Sequence, residues 1–111
     1  MKVSFDYDGT IDRKDVQDYA LELMRKGIEV SILTSRPNYK MNEVHAVADK
    51  LGITDIHNTG YESKALYLDR YDLHIDNDEK ELRDIEHFST CEGVNVKLSN
   101  WKEITNQLLN L

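Results

Sequence analysis

The chain has one cysteine, Cys91, and one proline, Pro37, among its 111 residues. A lone cysteine excludes an internal disulfide. The lone proline marks one break, directly after Thr34-Ser35-Arg36. No apolar run approaches the length of about 20 residues that a membrane span needs. No signal peptide is expected, because the N-terminus runs straight into a strand without a long apolar segment. The expected compartment is therefore the cytoplasm. Basic residues are in the minority, with 14 Lys and Arg against 21 Asp and Glu and a net charge of −7. That balance disfavours unspecific binding along nucleic acid, although a local basic site for a polynucleotide end stays open. An acidic chain that handles an anionic substrate usually needs a cation to mediate. There is no internal repeat, low-complexity segment or interdomain linker. The length suits one domain over residues 1–111, with one modest core.

What is present is a regular alternation of short apolar runs and amphipathic segments. Lys2 to Phe5 reads as a strand. Asp12 is the expected cap of a first helix, whose face is Val16, Tyr19, Ala20 and Leu23 and whose stop is Gly27. Ile28 to Leu33 is nearly all apolar or β-branched, as in a strand covered on both sides. A second helix is expected from about Tyr39 to Leu51, then a strand over Ile53 to His57. A third helix is expected from Glu62 to about Arg70, then a strand at Leu73 to Ile75. A fourth helix, Glu79 to Phe88, precedes a strand over Gly93 to Leu98. Asn100 and Glu103 suggest a capping box for a last helix that buries Trp101, Ile104 and Leu108. Strands separated by helices demand parallel pairing. The expected fold is a three-layer αβα, Rossmann-like open parallel sheet of about five strands.

Ligands of such sheets bind outside the carboxyl ends of the strands. The residues at those ends are polar. The first strand ends in Asp6-Tyr7-Asp8-Gly9-Thr10, two carboxylates expected to point the same way. The second ends in Thr34, Ser35 and Arg36, and the fourth in Asp76, Asn77 and Asp78. Lys64 stands ahead of the fourth strand. If these strands are adjacent, one crevice holds three or four carboxylates, a hydroxyl and an ammonium, a set suited to a hard cation and a phosphoryl group.

In their order, DYDGT, ILTSR, a lysine and IDND resemble the four motifs of the haloacid-dehalogenase superfamily of phosphatases and phosphotransferases. The resemblance covers Met1 to Asp78. It implies an Mg²⁺-dependent phosphomonoester hydrolase in which Asp6 forms an aspartyl-phosphate and Asp8 serves as acid and base. Thr34 would bind a phosphoryl oxygen and Lys64 would neutralise charge. Asp6, Asp76 and Asp8, the last through its carbonyl, would hold Mg²⁺, with Asp78 joining through a metal-bound water. Ser35 and Arg36 would contact the substrate, a phosphorylated compound such as a nucleotide, a sugar phosphate or a polymer end. No cap domain fits between the motifs, so the site would be open. Asn77 and Lys80 stand where many members carry a second aspartate.

A phosphotransferase remains an alternative, as does a degenerate module that binds Mg²⁺ or phosphate without turnover. A receiver domain is disfavoured, because the third strand ends at His57-Asn58 with no aspartate. His45, His57, His74 and His87 lack metal-ligand spacing, and His74 is expected at the surface or half-buried. Cys91 is expected to be inert, having no basic neighbour. The tyrosines are scattered and suggest no nucleobase-stacking stripe.

Overall fold

The computed structural model describes residues 1–111. Its elements are β1 (Lys2–Phe5), α1 (Lys14–Arg25), β2 (Glu29–Thr34), α2 (Asn42–Leu51), β3 (Asp55–Asn58), β4 (Leu73–Asp76), α3 (Glu79–Phe88), β5 (Glu92–Asn95) and α4 (Trp101–Leu108). The strands form one five-stranded sheet in the order β3-β2-β1-β4-β5. Every pairing is parallel, with Val3 beside Val30 and Leu73, and Ile75 beside Val94. The three-layer Rossmann-like architecture read from the alternation is the architecture found, without a cap domain. No helix is long and apolar enough to cross a membrane.

The two faces of the sheet are unequal. Side chains alternate across a strand. Val3 and Phe5, Val30 and Ile32, and Leu73 and Ile75 share one face, where α1, α2 and α4 close the larger core with Val16, Leu23, Val44, Ala48 and Trp101. Tyr19 and Trp101 lock α1 to α4 edge to face, ring centroids 5.2 Å apart. Each fully buried side chain of this kind contributes about 1.5–3 kcal/mol. The opposite face carries Leu33 under a smaller cluster with Ala65, Leu68, Tyr71, Ile85 and Cys91. It also buries Ser4, Ser31 and His74. Those polar groups pair among themselves and with Tyr71, whose hydroxyl lies 3.0 Å from Ser31 Oγ. Burying them without partners would cost about 1–3 kcal/mol each.

Several expected boundaries shift. Arg13, not Asp12, precedes α1, and the Asp12 carboxylate instead accepts the Gly9 amide at 3.1 Å, closing the turn after β1. The second helix starts at Asn42, behind a separate 3₁₀ turn over Asn38–Lys40. The third expected helix is a 3₁₀ turn, Lys64–Tyr67. Ser63 caps that turn at the Ala65 amide, and the Lys64 amide donates to Glu81. Leu68 is drawn fully inside. A segment fixed at so many points cannot also close a regular helix. β5 ends at Asn95 rather than Leu98, and Asn100 makes no side-chain cap to α4.

Candidate functional site

The strand order reverses between β1 and β4, where the connections diverge to opposite halves of the sheet. Asp6 leaves β1 there, its amide donating to the Ile75 carbonyl at 2.9 Å. Asp76 ends β4 beside it. Lys64 reaches up from its 3₁₀ turn and bridges the two: its ammonium lies 2.7 Å from Asp6 Oδ1 and 2.7 Å from Asp76 Oδ2. All three side chains are buried.

The two aspartates differ sharply. Asp76 Oδ1 accepts the amides of Asn77 and Asp78 at 2.8 and 3.0 Å. Its Oδ2 accepts Lys64 and His74 Nε2, the latter at 2.8 Å. Burial pushes its carboxyl up, but His74 and Lys64 outweigh burial and hold it well below the usual carboxylate range. His74 is wholly buried, and desolvation holds its pKa down against the pull of Asp76. A neutral ring protonated on Nε2 fits both contacts, because Nδ1 then accepts from Ser4 Oγ at 3.0 Å. This corrects the surface or half-buried placement expected for His74. Asp6 has fewer donors: Lys64, and Thr10 Oγ1 at a long 3.4 Å. Burial, and then the neighbouring Asp76 charge, push its pKa up to about 7 despite the ammonium.

The other expected site residues fall elsewhere. Asp8 does not point with Asp6. β1 has ended, and the turn bends at Asp8 (φ −65°, ψ 121°) and Gly9 (φ 73°). A side chain at position 9 would be strained at that φ and would collide with Asn77. Asp8 therefore turns outward and pairs with Arg36 Nε at 3.3 Å. Asp78 caps α3 through the amides of Lys80 and Glu81, at 2.9 and 3.2 Å. Of the residues expected around Mg²⁺, Asp6 and Asp76 meet at Lys64, while the Asp8 and Asp78 side chains are engaged elsewhere. No group of three His, Cys, Asp or Glu side chains is arranged to hold a metal ion. Lys64 occupies the space between Asp6 and Asp76, and both oxygens of Asp76 are saturated by donors. The residues as placed do not fit an octahedral Mg²⁺.

A second cluster lies at the ends of β2 and β3. The Thr59 amide donates to the Thr34 carbonyl at 2.8 Å, which ties the ends of β2 and β3 together at the two threonines. Thr34 Oγ1, Thr59 Oγ1 and Arg36 Nη1 are buried and have no hydrogen-bond partner. Asn58 ties the adjoining loops together. It accepts the amides of Arg36 and Gly60 at 3.1 and 3.0 Å, and donates to the Arg36 carbonyl and the Asn38 side chain at 2.7 and 3.0 Å. Ser35 Oγ is spent on the Gly60 carbonyl. These ties wall a cavity of about 520 Å³ lined by Ser35, Arg36, Pro37, Tyr39, Gly60 and Tyr61. Two of the tyrosines read as scattered thus meet around one hollow. The largest hollow, about 810 Å³, runs along α3 and β5 and touches none of these residues. Asn58, Thr59 and His74 were not among the expected site residues. The available signal was their position at or beside strand ends.

No family model matches the chain, and no curated protein matches it either. A solved structure described as the crystal structure of universal stress protein in complex with cAMP superimposes on it with a TM-score of 0.54. Identity is 14%, over 86% of this chain and 95% of that one. A likeness at that identity establishes the shared fold. These findings correct the haloacid-dehalogenase assignment and the phosphatase, phosphotransferase and enzyme readings that rested on it. The physical reason is visible in the site. Short polar motifs recur wherever parallel strands end, and here the expected acid and base, Asp8, is turned away while the expected metal position holds an ammonium.

Proposed function

We propose that this domain binds a small phosphate-bearing molecule at the carboxyl ends of β1, β2 and β3 and releases it unchanged. The observation that carries the reading is the group of buried, unpartnered donors, Thr34 Oγ1, Thr59 Oγ1 and Arg36 Nη1. A buried donor without a partner costs about 1–3 kcal/mol, and an anion delivered to all three removes that cost. Two hydroxyls and a guanidinium edge suit the oxygens of a phosphate monoester. The similar fold described above holds cAMP, a phosphate-bearing small molecule, which supports the same ligand class. Mg²⁺ has no part in this reading, because the carboxylates that would hold it are committed to Lys64, His74, Arg36 and the α3 amides.

The test is calorimetric titration with ribose 5-phosphate, with Mg²⁺ and with EDTA, followed by phosphorus NMR of the recovered ligand. Binding that is indifferent to EDTA, with the ligand intact, is expected. Thr34→Val and Thr59→Val should each weaken it by about 1.5–3 kcal/mol, the value of a hydrogen bond to a charged group. Unchanged affinity in both variants, or inorganic phosphate accumulating in the tube, would sink the proposal.

A further inference from the structure

From the cavity beside the threonine pair, and resting on the phosphate-binding reading above, we infer that the ligand carries a planar aromatic ring, held by Tyr39 and Tyr61, and is a nucleoside monophosphate. Tyr39 is 80% exposed and Tyr61 105% exposed. Both line the same hollow, where they offer exposed aromatic surface to a ligand. The loops explain how they come together. Asn58 holds Arg36 and Asn38 on one side and Gly60 on the other, so Tyr39 and Tyr61, from two different loops, line one hollow together with Pro37. Its volume of about 520 Å³ is in the range of small-ligand sites. A tyrosine face stacks on any nucleobase. Ser35 and Gly60, which line the cavity, directly follow Thr34 and Thr59 in the chain. Arg36 belongs to both places, lining the cavity and presenting Nη1.

Charge selects the number of phosphates. Arg36 is flanked by Asp8 at 3.3 Å and Glu43 at 3.4 Å. Lys40 sits over the Tyr39 ring at 5.7 Å, on the base side. A single phosphate at the threonine pair meets donors, whereas a second and third would run against the Asp8 and Glu43 carboxylates. A monophosphate is therefore favoured over a triphosphate.

The experiment compares AMP, ATP and ribose 5-phosphate by calorimetry on the full chain and on Tyr39→Ala and Tyr61→Ala. Both tyrosines are exposed, so neither variant removes core packing. AMP should bind on the order of 10-fold or more tightly than ribose 5-phosphate, the scale of one base stacked on an aromatic ring. Each variant should narrow that gap while leaving ribose 5-phosphate affinity unchanged. ATP should bind more weakly than AMP. Equal affinity for AMP and ribose 5-phosphate, or a gap that persists in both variants, overturns the aromatic-ring inference and leaves the phosphate reading standing. ATP binding more tightly than AMP overturns the monophosphate assignment. No binding of any of the three overturns the phosphate reading itself.

Discussion

Asp6→Asn should stabilise this protein at neutral and alkaline pH. Asp6 is buried, and its pKa stands at about 7 in the folded state against 3.8 for an ordinary carboxyl. The first cause is desolvation and the second is the charge of Asp76. A folded pKa above the unfolded value means that the folded state binds the proton more tightly. The associated stability is complete below about pH 4 and is lost as pH rises through 7. At 1.36 kcal/mol per pH unit the gap corresponds to roughly 4 kcal/mol by pH 8. Asparagine has the same shape and no charge, and its oxygen still accepts from Lys64. It loses the attraction between a carboxylate and that ammonium, so a net gain of about 2–4 kcal/mol is expected at pH 8. Near pH 4, where Asp6 is protonated, the two proteins should differ by less than about 1 kcal/mol. Urea unfolding followed by the fluorescence of Trp101, the one tryptophan and a buried one, measures this directly. The variant-minus-wild-type difference cancels most other titrations. A variant less stable at pH 8, or a difference that is flat from pH 4 to 8, would refute the electrostatic account of Asp6.

Asp76→Ala should act in the opposite sense. It leaves the Lys64 ammonium with Asp6 alone and takes the acceptor from the His74 imidazole and from the Asn77 and Asp78 amides, and breaking a buried pair this way costs about 3–5 kcal/mol. Urea midpoints compared at constant slope would show it, and a loss under 1 kcal/mol would count against the bridged geometry. Cys91 is buried, and burial pushes its thiol up to about 12. A disulfide reagent at pH 8 should therefore leave the native thiol unmodified and titrate it in full after unfolding. Prompt reaction of the native protein would disprove that placement.

The fold was legible because its signals are local and repeated. Val16, Tyr19, Ala20 and Leu23 mark a helix face whatever else surrounds them, and the apolar run ahead of Thr34 marks a buried strand. The misread element was the crossover before β4. Glu62 to Arg70 has helix-forming composition, yet the chain there is bound by long-range contacts: Ser63 to Asp84, the Lys64 amide to Glu81, and the Lys64 ammonium to Asp6 and Asp76. Propensity is a weak prior, and tertiary anchoring overrides it.

The site was legible at the level of strand ends and no further. Asp6, Lys64 and Asp76 do meet, because strand ends at a reversal of sheet order must be neighbours. Strand alternation also suggests that Asp6 and Asp8 face one way. That inference fails once β1 stops at Phe5 and Gly9 turns left-handed against Asn77. One bend thus separates a carboxylate pair into a buried member, held by an ammonium, and an exposed one, held by a guanidinium. Tyr39 and Tyr61 were invisible for the converse reason. They lie 22 residues apart with no periodic relation, and the cross-loop bonds of Asn58 and Ser35 place them on one cavity. A motif read along the chain records which groups are present. Which groups are left without partners, the property that points to a ligand here, depends on how neighbouring loops are tied. Asn58→Ala releases both loops at once, so it should weaken AMP binding more than either tyrosine variant, while the threonine pair remains in place for ribose 5-phosphate. Equal loss of both ligands in that variant would mean that Asn58 supports the whole mouth and that the division into a phosphate half and a ring half is wrong.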